Sequence, residues 1–186
     1  MIPEFPDRLK RYATGYFGEE GEAWLEALPG ILTRCCEKWG LTLGPISKEI
    51  KANYVGFATL PGREEVVLKV GVPKFLQPER DMLTIYDGRR LHRMVAHDRE
   101  LSAMLLERFS PGTMLVEMDD SREQARIAGR IARDLHRTPP PENPNFKHAV
   151  DRLNKTISIV SDCTDSERAR PYRDQLDRLK AMMEGP

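Results

Sequence analysis

Long apolar runs, paired cysteines and an excess of either charge are all missing from this chain, and each absence removes a class of function. No stretch approaches the roughly 18 apolar residues of a membrane-crossing helix, so no membrane partner is expected. Residues 1–11 mix acids, bases and prolines and lack the apolar core of a secretory signal. Lys plus Arg number 29 and Asp plus Glu number 29, a formal net charge of zero. That balance gives no electrostatic reason to expect nucleic acid or an anionic surface as partner. Of the three cysteines, Cys35 and Cys36 are adjacent and cannot easily bridge each other, Cys163 stands alone, and no Cys-x-x-Cys spacing occurs. The four histidines, His92, His97, His136 and His148, are scattered with no His-Glu-x-x-His pattern, so a zinc site is not expected. A reduced, bacterial-type cytosolic setting is the simplest reading of this cysteine usage.

What remains is a soluble-type composition. With 186 residues, 40% hydrophobic and 31% charged, the chain can bury one ordinary core and fold as one domain, or one plus an appendage. Glu19 to Trp39 reads as helical, broken at Pro29-Gly30, with Ile31, Leu32, Cys35, Cys36 and Trp39 on one stripe and Gly40 as a stop. From there the pattern changes to short branched runs at Leu41–Ile50, Tyr54–Leu60, Glu64–Val72, Leu91–Ala96 and Leu101–Glu107. Pro61-Gly62-Arg63 joins the second and third as a hairpin, and five such runs without a long crossover predict an antiparallel sheet. A short helix is expected at about Gln77 to Asp87, with Pro78 in its first turn and Asp87-Gly88 as its end.

Beyond Pro111-Gly112 the sequence reads as all helix. Asp119-Asp120-Ser121 caps a helix running to His136, in which Ala128, Ile131, Ala132 and Leu135 form the apolar face. Arg122, Arg126, Arg130, Arg133 and Arg137 fall within about 80° on the other side, at about 100° per residue. No aromatics interleave with that stripe, which favours a solvated face over a phosphate-binding one. After Pro139-Pro140-Pro141, two more amphipathic helices are expected, marked by Val150, Leu153, Ile157 and Val160 and by Tyr172, Leu176, Leu179 and Met183. Their apolar stripes have little left to cover, which raises the expectation of self-association.

One residue carries the functional argument. Lys69 lies inside Val66-Val67-Leu68-Lys69-Val70-Gly71-Val72, a run that reads as a strand with Lys69 on the face opposite Val66, Leu68 and Val70. A buried ammonium must find a partner, either a carboxylate from a neighbouring helix or an anionic ligand such as phosphate. The plainer alternative is an edge strand whose lysine discourages aggregation.

A sheet with a strand lysine, one helix bearing a glutamate and a sharp exit into helices matches the small lobe of a kinase-like phosphotransferase. Val66-Val67-Leu68-Lys69, then Glu79 with Leu83 and Tyr86-Asp87-Gly88, then Met104 to Thr113 resemble the aminoglycoside/hydroxyurea phosphotransferase family. Trp24 and Leu28-Pro29 upstream, and Ile131 to His136 followed by prolines, are also similar to that family. The resemblance implies an α+β fold: an N-terminal helical segment (1–40), a kinase-like nucleotide-binding lobe (41–112) and the helical start of an acceptor lobe (113–186). It implies that Lys69 contacts ATP phosphates, that Glu79 is its ion-pair partner, and that Val67 lines the base pocket. Glu107, Arg108 and Phe109 would form the adenine-pairing linker. The first sheet turn is not glycine-rich, and Asn53 is its one obvious polar candidate for a phosphate contact. Surface and strand-end roles for Glu79 and Glu107 are the alternatives.

The family's transfer machinery, His-Gly-Asp-x-x-x-x-Asn and a later metal-binding aspartate, has no counterpart in these residues. Asp162 and Asp165 lack the neighbours such a loop needs. The cofactor expected is ATP, with Mg²⁺ in the complete family enzyme but no ligands for it here. The partner expected is a small-molecule hydroxyl acceptor. The chain by itself is expected to be inactive, as a truncated kinase or a non-catalytic nucleotide-binding or interaction module.

Overall fold

A computed structural model describes residues 2–48 and 50–137, together with a few helical positions between Asp151 and Ala181. The chain divides into two compact units, Met1–Pro141 and Glu142–Pro186. The proline run, the apolar positions of the two last expected helices and Cys163 lie outside the described residues.

Two helices come first, α1 (Asp7–Phe17) and α2 (Glu19–Trp39). The sequence reading missed α1, whose apolar signal is only Leu9 and Ala13, four residues apart and both fully buried. The turn between the helices is tight, and a Cβ on Gly21 would run into the carbonyl oxygen of Ala13. Contrary to expectation, α2 is not broken at Pro29-Gly30. An interior proline costs a helix about 3 kcal/mol. Here Trp24, Leu28, Ile31, Leu32 and Cys35 all descend into one core on both sides of it, and that burial outweighs the lost hydrogen bond. Gly40, with φ 65°, closes the helix in the left-handed conformation.

The sheet follows as β1 (Thr42–Ile46), β2 (Tyr54–Thr59), β3 (Glu65–Val70), β4 (Met94–Asp98) and β5 (Ala103–Glu107). All neighbours are antiparallel in the order β1-β2-β3-β5-β4, so the expected α+β kinase-like small lobe is the observed one. The hairpin at Pro61-Gly62-Arg63 is present, with Arg63 at φ 65°. The first strand ends four residues earlier than expected, and the fourth begins three residues later and ends two later.

Register fixes which side chains share a face. Tyr54, Ala58, Val66, Leu68, Val70, Ala103 and Leu105 point one way and join Leu9, Leu28, Leu32 and Cys35 in the main core. Val55, Phe57, Val67, Lys69, Met104 and Leu106 point the other way.

On that second face lies α3 (Pro73–Tyr86), packing Leu76 and Leu83 against Met104 and Leu106. It starts four residues before the expected position because Pro73, not Pro78, takes the first helical turn. Pro78 is accommodated inside the helix, where Leu76 and Leu83 anchor both flanks. After a 3-10 turn at Leu115–Glu117, α4 (Ser121–His136) begins at Asp120, whose carboxylate accepts from the N–H groups of Arg122 and Glu123. The five arginines of its stripe are exposed. Its inward side differs from expectation: Ile127, Ile131 and Leu135 are half-buried, whereas Ala128 and Ala132 face out.

Candidate functional site

The second sheet face is only partly covered. Met104 and Leu106 are buried under α3, while Val55, Phe57, Val67 and Lys69 remain half-buried, so a shallow apolar floor lies open beside the lysine. The Lys69 Nζ lies 2.6 Å from both Glu79 Oε1 and Glu79 Oε2. The two side chains keep 18% and 32% of their surface exposed, so the pair is reachable rather than sealed. An ammonium has three N–H donors. Two are spent on the carboxylate, and the third is left for an incoming anion.

The remaining predicted residues sit around this pair. Val67 lies on the open floor and touches the cluster beneath α3. Asn53 precedes β2 at the end of the sheet where Tyr54 pairs with Val70, next to the lysine. Its Oδ1 is buried close to Gly71 and has no hydrogen-bond partner among the described residues. At the opposite end of the sheet, Glu107 closes β5. Its N–H donates to Arg93 O at 2.9 Å, and its Oε1 accepts from Arg93 N at 2.8 Å. The carboxylate thus braces the strand end, and the Glu107 N–H is not available to a ligand. Arg108 folds back on the sheet, 2.7 Å from Glu65 Oε1 and with its guanidinium 4.5 Å from the Phe57 ring centre. Phe109 is exposed and stacks on His92 at 4.4 Å. The linker then runs through a cis Ser110–Pro111 bond.

Lys69, Glu79, Val67 and Asn53 therefore gather at one end of the open face, and Glu107, Arg108 and Phe109 border the other. Val55 and Phe57 complete the floor, beside Met104 and Leu106 buried under α3. The sequence reading left them out of the site, although Phe57 was legible as the residue two places after Val55 in an alternating run.

Comparison with known proteins decides which of the kinase-like groups this is. The chain is 28% identical over 182 residues to the streptomycin 6-kinase of Streptomyces griseus, covering 94% of this chain and 59% of that protein. It is 31% identical over 134 residues to the streptomycin 6-kinase of Streptomyces glaucescens, covering 71% of this chain and 44% of that one. It is also 31% identical over 137 residues to the hydroxyurea phosphotransferase of Kitasatospora aureofaciens, covering 71% of this chain and 40% of that protein. This chain belongs with the aminoglycoside/hydroxyurea phosphotransferases. It spans about half the length of the relatives it matches. No family model and no solved structure matches it.

The described residues bring together a cation, its acidic partner and an apolar floor. Among the described residues there is no group of three or more His, Cys, Asp and Glu that could hold a metal ion. Among the described residues no helix is long and apolar enough to cross a membrane.

Proposed function

We propose that residues 41–112 are the nucleotide-binding lobe of an ATP-dependent small-molecule O-phosphotransferase of the antibiotic-inactivating kind. Residues 1–40 brace that lobe from behind, and 113–186 begin the part that meets a hydroxyl-bearing acceptor. The observation that carries this reading is the two-oxygen grip of Glu79 on Lys69, on a sheet face that is otherwise apolar and open.

In this reading Glu79 holds the lysine in one rotamer, so that its third N–H and its positive charge face the triphosphate without reorganisation. Val67 and Phe57 pack under the base, and Asn53 stands where the phosphates would pass the end of β2. Base pairing falls to the backbone beyond Glu107, since the Glu107 N–H is already donated to Arg93. The working compartment is the cytoplasm, where ATP is available. Phosphoryl transfer also needs a hydroxyl-orienting base and metal charge, and no His-Gly-Asp motif occurs in the 186 residues. The chain alone is accordingly a nucleotide binder without turnover, which also describes a non-catalytic module of the same lobe.

Calorimetric titration with ATP, with and without magnesium, tests the reading. Saturable binding with little magnesium dependence, weakened at least tenfold in Lys69→Ala, is the expected result. Binding that is absent, or indifferent to Lys69→Ala, removes the nucleotide assignment.

A further inference from the structure

A second concave site lies on the side of α3 that faces the turn between β4 and β5, whereas Glu79 reaches towards β3. It is a cavity of about 240 Å³ with an apolar base of Leu76, Ala103 and Met104 and a polar rim that includes Gln77, Arg80 and Arg99. The family comparison does not account for it, and it does not include Lys69 or Glu79.

Its charge is unbalanced towards positive. The Asp98 carboxylate on its border is committed elsewhere, to the Lys38 ammonium and to the Leu101 N–H at 2.8 Å. Arg80, only 12% exposed, uses its Nε and Nη2 on Asp81 Oδ1, which among the described residues leaves donors of its five-donor fork unspent. Arg99 is exposed and forms no ion pair among the described residues. The neighbouring imidazole of His97 reports the same field. Burial first, then the positive charges of Arg80 and Arg99, hold it below the ordinary histidine range. The volume is under the roughly 300–1,000 Å³ of a drug-sized pocket, so the space suits a fragment. A guanidinium rim over an apolar base matches an oxyanion carried on a short hydrocarbon stub.

We propose that this cavity binds a small oxyanion, the carboxylate or phosphate group of a short organic acid or ester, independently of the nucleotide site. The anion engages Arg99 and the free edge of Arg80, and its stub rests on Leu76, Ala103 and Met104.

Titrating the full chain with inorganic phosphate and, separately, with butyrate at constant ionic strength tests this, following the His97 imidazole by NMR. The expected result is a saturable shift of the His97 signal with a rise in its pKa as the anion offsets both arginines. Saturation with phosphate alone assigns a phosphate group, and saturation with butyrate alone a carboxylate. Arg99→Gln is expected to weaken binding about tenfold, and Gln77→Glu, which sets a carboxylate on the rim, to abolish it. Lys69→Ala should leave the titration unchanged. A shift that never saturates, or that ignores both rim substitutions, overturns the proposal. So does a shift lost in Lys69→Ala, which would place the anion at the nucleotide site instead.

Discussion

The two faces of one sheet divide the labour of this lobe. Residues two apart on β3 belong to the same face, and residues one apart belong to opposite ones. Leu68 is fully buried against α1 and α2, while Lys69 beside it meets Glu79 on a half-covered surface. The sealed face supplies stability, and the open face leaves the Lys69–Glu79 pair within reach of a ligand. A single residue of register slip would exchange them. The largest effect should come from breaking the sealed side: Leu68→Ala is expected to cost about 2–5 kcal/mol, as buried leucine truncations do, read from the urea midpoint at unchanged slope.

An intermediate effect lies where the sealed side meets the turn of β4 and β5. Asp98 joins the last turn of α2 through Lys38 and caps the turn through the Leu101 N–H. The Lys38 hydrogen bond, first, and the Leu101 N–H, second, hold the Asp98 carboxyl below the usual aspartate range. The sign follows from linkage. The contribution of Asp98 is fully present above the ordinary aspartate value of about 3.9 and drains away as pH falls through its lower folded value. The raised Lys38 works the other way: its share holds below the ordinary lysine value and is lost as pH climbs through the folded one. Asp98→Asn should therefore lower the melting temperature by a few degrees near neutrality. It should also flatten the acid limb of the stability curve below about pH 4. A wild-type acid limb as flat as that of the variant would show that the carboxylate carries nothing.

On the open face the outcome should reverse. Lys69→Ala removes a half-exposed ion pair, and such pairs are worth about 0–1 kcal/mol, so the midpoint should barely move while ATP binding falls at least tenfold. Glu79→Gln should act in the same direction and less strongly, because an amide oxygen still orients the ammonium. A Lys69→Ala variant that is as unstable as Leu68→Ala would erase the distinction between the faces.

Much of this arrangement was legible in the residues. The period-two pattern of Val66 to Val70 set the face of Lys69, and the turn chemistry of Pro61-Gly62-Arg63 set the hairpin. The motif order pointed to Glu79. What escaped had physical causes. Pro29 read locally as a break and Pro78 as a first helical turn, yet buried residues on both sides of each held the helices continuous. For α1 there was too small an apolar signal, because only two of its residues are buried. The commitments of the Glu107 N–H to Arg93 and of Arg108 to Phe57 and Glu65 are tertiary contacts that no periodicity encodes. The cavity beside α3 escaped for the same reason: Gln77, Arg80 and Arg99 are brought together by the packing of α3 on β5.

The smallest predicted effect probes an imperfection in the sealed face. Tyr54 is fully buried, its hydroxyl has no hydrogen-bond partner among the described residues, and burial pushes its phenol up to about 12. The space for that hydroxyl exists because residue 56 is glycine; a Cβ there would strike the Tyr54 Oη. An unsatisfied buried polar group costs about 1–3 kcal/mol in desolvation, whereas removing one oxygen leaves a void smaller than a methyl group. Desolvation should win, so Tyr54→Phe is expected to be neutral or to stabilise the lobe by up to about 1 kcal/mol, with ATP affinity unchanged. A clear loss of stability in the same denaturation experiment would mean that the hydroxyl is satisfied, by water or by a neighbour, and that the sealed face is less dry than its packing implies.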